Sequence, residues 1–351
     1  MKRLMATLLA LSAGALALWQ TEAAVSGVRA GLSLCLHSVI PSLFIFMIFA
    51  DFLAEADLSP ALFWPLRLIC RLFQVPGEAA PVLAISLVGG YPAGARLIAS
   101  LVKKGRLGPK TGEKLLCSCF CCSPSFLTGA VGLGVFGNVR IGLIMYLCQL
   151  GAMLVTGILA GFLLPGDDAP AGSFSGSGDY TACLVSAVTS AGKAVAAICC
   201  FVLAFSAVRA FLLPLPGGET LAGLLEVTVG CAGAAGYPFR KALILSTIYT
   251  SLGGVCVWMQ LRCFLQGSGV SMKKFFWFRC PHCFFSVGLT LLAARLTKIA
   301  ADVFTTFSQP LPKNGSSSVT AAVTLVMLCL MLLLTLPKFQ LIRKGAKASH
   351  L

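Results

Sequence analysis

Three stretches of the chain contain no Asp, Glu, Lys or Arg: Ala30–Ala50, Ile141–Leu164 and Ser316–Pro337. Each reaches the roughly 20 residues that a helix needs to cross the hydrocarbon core of a bilayer. None shows the ten-residue alternation of a transmembrane β-barrel strand. Backbone N–H and C=O groups cannot stay open in lipid, so helices are the remaining solution. Charged residues make up 11% of the chain and hydrophobic ones 58%, against roughly 25% charged in soluble proteins. The whole chain is therefore suited to lipid. The expected fold class is an all-α polytopic membrane protein, multi-pass in a cell membrane.

The charges are 27 basic against 12 acidic, a net +15. In a soluble protein such an excess would point to nucleic acid. Here the basic residues sit in short loops beside apolar runs, the pattern that keeps loops cytoplasmic, so no nucleic-acid partner is expected. Lys103, Lys104, Arg106, Lys110 and Lys114 make a dense loop expected in the cytoplasm, as is the tail with Lys338, Arg343, Lys344 and Lys347. Pro165–Tyr180, PGDDAPAGSFSGSGDY, has Asp167, Asp168 and Asp179 and no basic residue. It reads as a flexible linker facing away from the cytoplasm.

The linker divides the chain into an N-terminal transmembrane helix (1–25), a first membrane half (26–164), the linker (165–180), a second half (181–300) and a C-terminal transmembrane helix with the basic tail (301–351). Met1-Lys2-Arg3 and the apolar Leu4–Trp19 resemble a signal peptide. Only a weak cleavage site, Thr21-Glu22-Ala23, follows, so an uncleaved first helix is expected.

Within the first half, LVGGYPAGARL (Leu87–Leu97) interrupts an apolar run with Gly89, Gly90, Tyr91, Pro92, Gly94 and Arg96. Two readings compete. One is a plain interfacial turn with Tyr91 as an aromatic anchor. The other is a helix broken inside the membrane, where freed backbone groups and half-helix ends form a solute or ion site. Basic loops on both sides of 79–101 favour a re-entrant hairpin. The same argument applied to Lys114–Arg140, with Ser123-Pro124 in its middle, predicts a second re-entrant segment. Gly90-Tyr91-Pro92 is echoed by Gly236-Tyr237-Pro238, and Ala30-Gly31 by Ala191-Gly192. Duplicated halves with interrupted segments are the sequence sign of a transporter core.

Other motifs point to less chemistry. Cys117, Cys119, Cys121 and Cys122 are spaced C-x-C-x-CC without a nearby histidine, unlike a zinc site, and read as small core residues. Cys280-Pro281-His282-Cys283 is a C-x-x-C outside the βαβ setting in which that motif is redox-active. Walker A, H-E-x-x-H and G-x-S-x-G patterns do not occur, so no catalytic residue, metal or cofactor is expected. Ionisable residues inside apolar runs remain candidates: Lys193, which as a surface lysine would snorkel, and Glu226, alone between Glu219 and Arg240, whereas His37 on the Ala30–Ala50 helix reads as a satisfied core histidine.

An ordered series of segments resembles the YlbJ-type sporulation integral membrane proteins of the nucleoside recognition (Gate) domain superfamily. It runs through GLSLCLHSVIPSLFIFMIFADFL (Gly31–Leu53), VPGEAA (Val75–Ala80), GGYPAGARLIASLVKKGRLGPKTGEKLL (Gly89–Leu116), SPSFLTGAVGLGVFGN (Ser123–Asn138), GLLEVTVG (Gly223–Gly230) and SLGGVCVWMQ (Ser251–Gln260). The resemblance implies two related halves with broken or re-entrant helices. It also implies movement of a small solute, dipicolinic acid in the sporulation branch, across a mother-cell or forespore membrane. By that likeness Gly90, Tyr91, Pro92, Gly94, Arg96, Ser123, Pro124, Glu226, Thr228 and Gln260 become path candidates, and Lys193 joins them from its position. Arg96, Lys193 and half-helix N-termini favour an anionic or aromatic solute. Where the family usually shows an Asn before the S-x-P turn, this chain has Phe120. A degenerate Gate-type protein with an altered substrate, or a membrane scaffold for spore maturation that transports nothing, is the alternative. A homo-oligomer or a sporulation membrane partner is compatible with either.

Overall fold

The structure, a computed structural model, describes residues 2–56, 63–167 and 179–297. The expected C-terminal span Ser316–Pro337, the basic tail and most of the linker lie outside the described residues. Within them the chain is helical and contains no strand. Five described helices are long and apolar enough to cross a membrane, or six if the bent passage Thr21–Val39 plus Leu43–Glu55 counts as one. The protein is an all-α, multi-pass membrane protein.

The helices are α1 (Lys2–Trp19), α2 (Thr21–Leu34), α3 (Ile40–Glu55), α4 (Leu66–Leu72), α5 (Ala80–Lys103), α6 (Pro109–Ser118), α7 (Phe126–Phe136), α8 (Val139–Leu163), α9 (Tyr180–Leu212), α10 (Gly218–Leu225), α11 (Val227–Ala234), α12 (Phe239–Leu252), α13 (Gly254–Leu265) and α14 (Lys273–Leu296). Their outward faces are apolar, with Leu147, Phe162, Val185, Trp277 and Phe284 more than half exposed, as lipid contact requires.

Hydrogen bonds fix which element ends share a face. Lys104 Nζ donates to the Ala54 carbonyl (2.7 Å) and Lys114 Nζ to the Gln74 (3.3 Å) and Gly161 (3.2 Å) carbonyls. Glu55 accepts from Ser186 Oγ, and Glu113 accepts from Ser271 N and pairs with Lys274. The ends of α3, α5, α8 and α13 and the starts of α5, α6, α9 and α14 therefore meet at one basic end. At the far end Phe136 packs on Phe239 (5.7 Å between centroids), and Tyr237 Oη donates to Glu219 (3.2 Å). The positive-inside rule places the basic end in the cytoplasm.

Two segments double back. In α5 the backbone breaks at Gly90 (φ 75°, ψ −172°). A methyl on Gly94 would lie 3.4 Å from Ser86 Cα, whereas eight residues of straight helix cover about 12 Å. Both arms of this hairpin start and end at the basic end, as the flanking charges predicted. In the second half α10 and α11 fold against each other through Gly223 and Gly230, with the tip at Glu226. Glycine at both contact points lets the two backbones approach.

Two other segments are broken but pass straight through. The α6–α7 span is interrupted at 119–123 and α12–α13 at Gly253 and Gly254, both at positive φ. The order in each half is then a long passage, a hairpin, a broken span and a straight span: α2–α3, α5, α6–α7 and α8, then α9, α10–α11, α12–α13 and α14. The first hairpin opens from the basic end and the second from the far end, so the halves have opposite orientation. The two halves are thus inverted-topology repeats of each other.

Three expectations are corrected. Residues 114–140 are a crossing span, because α6 meets the end of α8 while α7 meets its start, where Gly132 abuts Gly142. Two crossings, out through α6–α7 and back through α8, return the linker to the basic end. There Asp167 Oδ2 accepts from Lys110 N (2.6 Å) and Thr111 N (3.1 Å) and caps α6; an N-terminal turn favours a carboxylate. Gly236-Tyr237-Pro238 forms the far-end turn into α12, so the counterpart of the Gly90 tip is Glu226.

Candidate functional site

The two hairpin tips meet the two helix breaks at the centre of the bundle. Gly90 lies against Ser123 of the α6–α7 break, and Gly254 of the other break against the carbonyls of Leu224 and Leu225 beside the second tip. Gly253 faces the Phe120 ring, so the breaks also touch each other. Between them is a cavity of about 70 Å³, room for several waters. Tip residues Gly90, Tyr91, Pro92, Glu226 and Thr228 line it together with Ser123 and Gln260, while α9 closes one side through Ile198 and Val202.

Glu226 is the acid of this cavity and is 4% exposed. Its carboxylate accepts from Thr228 N (3.2 Å) and Val229 N (2.8 Å), capping α11. The half-helix N-terminus that could hold an anion is thus occupied by the protein's own carboxylate. Tyr91 stacks on Phe120 (4.4 Å, 16°), and its hydroxyl accepts from the Cys122 thiol (3.2 Å). Gln149 of α8 takes up the freed backbone of the break, accepting from Cys122 N (3.2 Å) and donating to Thr250 Oγ1 (2.8 Å). The break is therefore satisfied by side chains, as non-helical backbone at membrane depth must be.

Four predicted residues lie off the cavity wall. Gly94 closes the arms of the first hairpin against Ser86. Pro124 opens α7, and its carbonyl accepts from Thr128 Oγ1 (2.7 Å). Lys193 is on an exposed face of α9. Arg96 forms a two-point pair with Asp51 (2.8 and 2.9 Å) and donates to Ser190 Oγ (2.6 Å) and the Ser190 carbonyl (3.1 Å). The two cations expected to draw an anion are outside the cavity, and one is already neutralised. Arg96 instead ties the outer hairpin arm to α3 and α9. Arg96→Ala is expected to cost about 3 kcal/mol, since it strands a buried carboxylate. The double variant with Asp51→Ala should recover part of that loss in a mutant cycle read by reversible unfolding in mixed micelles.

Several site residues escaped the sequence reading. Gln149 is a polar residue in the uncharged run Ile141–Leu164, Asp51 directly follows the uncharged run Ala30–Ala50, and Arg279 stands among aromatics. Polar side chains in such places are the signal that could have found them. The C-x-x-C cysteines Cys280 and Cys283 are free, on α14 away from the cavity, and the thiols of Cys121 and Cys122 donate to Ser86 O and Tyr91 Oη.

Fold and site together define a multi-pass α-helical membrane protein whose two oppositely oriented halves enclose a central cavity. The chain is similar to the sporulation integral membrane protein YlbJ of Bacillus subtilis (strain 168), with 31% identity over 125 residues. The match covers 35% of this chain and 31% of that protein, so it spans about a third of the relative's length. That likeness does not by itself identify a Gate domain. No family model and no solved structure matches the chain.

Proposed function

We propose that the protein is a YlbJ-type membrane protein of sporulation and that it transports a small solute, exposing the central cavity in turn to the two membrane faces. The convergence of two re-entrant tips and two helix breaks around Glu226 carries this reading, because such broken segments are tolerated in membranes where they line a solute path. The lining favours a small aromatic solute, with Tyr91 and Phe126 as apolar walls and Gln260 and Glu226 as hydrogen-bond partners. Glu226 disfavours a bare anion. Dipicolinate would approach Glu226 with its carboxylates protonated or ion-paired.

Dipicolinate content of spores tests the reading directly. A deletion strain rescued by the wild-type chain should regain dipicolinate, whereas Glu226→Gln, inserted at normal levels, should remain at least about tenfold lower, the loss of roughly 1.4 kcal/mol or more of interaction with the solute. Full content with both Glu226→Gln and Tyr91→Ala would place the path elsewhere. Full rescue without flux of dipicolinate or other aromatic acids in proteoliposomes would favour the scaffold.

A further inference from the structure

The last described helix is inverted in character. α14 presents Trp277, Phe284, Leu292 and Leu296 outward, whereas Arg279, His282, Ser286 and Thr290 are each at most 2% exposed. Their spacing of three, four and four residues places them on one face. That face packs on α8 and α12. A buried polar stripe is ordinarily a set of satisfied pairs. This one is not: the hydroxyls of Ser286 and, opposite on α12, of Ser246 and Ser251 have no protein partner, while the His282 ring has only the backbone of Gln149 and Ser251 within reach and Thr290 only the Cys148 thiol. Each such orphan costs about 1–3 kcal/mol, and an apolar stripe would avoid the loss. Buried polar groups without protein partners are the usual hosts of internal water.

The stripe connects two places already described. Toward the far end, Thr290 is the polar residue of a small pocket of about 10 Å³ lined by Ile141, Met145, Phe239 and Leu243, the size of one water. Toward the centre, His282 lies beside the backbone of Gln149 and Ser251. Gln149 is the residue that holds Cys122 and Thr250, and Cys122 lines the central cavity with Glu226.

We propose that this stripe is a hydrated proton path from the far face through Thr290, Ser286 and His282 to the central cavity, with Glu226 as acceptor, so that solute movement is proton-coupled. The coupling rests on the transport reading above; the hydration does not. His282 receives a proton from the Ser286 side on one ring nitrogen and releases the proton of the other nitrogen toward the cavity, so the imidazole ends in its other tautomer. Rotation of the ring or return of the proton resets it. The proton reaches Glu226 and leaves with the solute step. The charged group facing the imidazole is Arg279 on its own helix; Cys121 and Cys283 lie beside Arg279 and Cys148 beside Thr290, and α12 contributes uncharged serines. Arg279 is fixed on the carbonyls of Cys117 and Phe120.

Two measurements on the full chain test this. Water-edited solid-state NMR of ¹⁵N-histidine protein in bilayers reads hydration, with the His282 ring signal assigned by its loss in His282→Gln. Water magnetisation is expected to reach that ring well before it reaches the methyls of the surrounding core. A ring that fills only at the rate of those methyls overturns the path, whatever the transport result. In proteoliposomes with a trapped pH dye, the isosteric Thr290→Val should cut solute-dependent proton influx about tenfold while gradient-free solute exchange stays at the wild-type rate. Unchanged proton influx in that variant also overturns the path. Absence of solute exchange in the wild type defeats the coupling and the transport reading together, and leaves the hydrated stripe to the NMR result.

Discussion

Alanine at Gly90 is expected to prevent the central cavity from assembling. The residue has φ 75° and ψ −172°, a region essentially restricted to glycine, where a side chain costs on the order of 1–3 kcal/mol. The added methyl would also lie 2.8 Å from Ser123 N and 3.3 Å from Ser123 Cα. Those are backbone atoms of the helix break, so they cannot swing aside as a side-chain end would. The tip must retreat from the break or the break must open, and either separates Tyr91 from Phe120. A total loss of about 3 kcal/mol or more follows by adding the conformational and overpacking costs. Gly192→Ala is the control, since nothing lies within 4 Å of a methyl at that helical position, and it should be neutral or slightly stabilising. Reversible unfolding in mixed micelles and spore dipicolinate content read the two variants. Wild-type stability and function in Gly90→Ala would mean that the first hairpin is not closed by this contact.

The membrane class and the first hairpin were legible because their causes are local. Uncharged runs state the solvent, and basic residues on both sides of Leu87–Leu97 state that the chain returns to the same face. The same logic failed for 114–140 because flanking charge cannot distinguish a turn from a break. What decides is whether the extended residues 119–123 reverse direction, and their partners come from Gln149 and Arg279, far along the chain. Glu226 stood out as an isolated acid, but its role at a hairpin tip depends on the Gly223–Gly230 contact, which spacing alone does not announce. The Gly-Tyr-Pro echo misled for the opposite reason. The triplet marks a place where a helix stops, and both a membrane-centre tip and an interfacial turn are such places. Arg96 was found as a charge in an apolar run, but its pairing was not legible there, since its partner Asp51 belongs to another helix.

Arg279 carries the second large effect. The side chain is 1% exposed, and no carboxylate among the described residues pairs with it. Its donors go to Cys117 O (2.9 Å) and Phe120 O (3.2 Å), carbonyls that the end of α6 leaves open and where the helix dipole favours a cation. The guanidinium lies over Phe120 at 4.2 Å and Phe275 at 4.9 Å, and Phe120 stacks in turn on Tyr91. One cation therefore holds the break against the first hairpin tip, and Phe120 is the ring through which it acts. Arg279→Ala leaves two buried carbonyls unpaired and a void, at about 1–3 kcal/mol for each lost partner. Relief from burying an unpaired charge offsets part of this, so a net loss of about 3 kcal/mol is expected. Arg279→Met separates the two contributions. It fills the void and removes the buried charge, so stability should return to within about 1 kcal/mol of wild type. The Cys117 and Phe120 carbonyls still lack their donors, and the tip is no longer pinned. Solute flux and spore dipicolinate should therefore stay low in a variant that unfolds like the wild type. Full function in Arg279→Met would show that packing alone positions the break and that the guanidinium fork is dispensable.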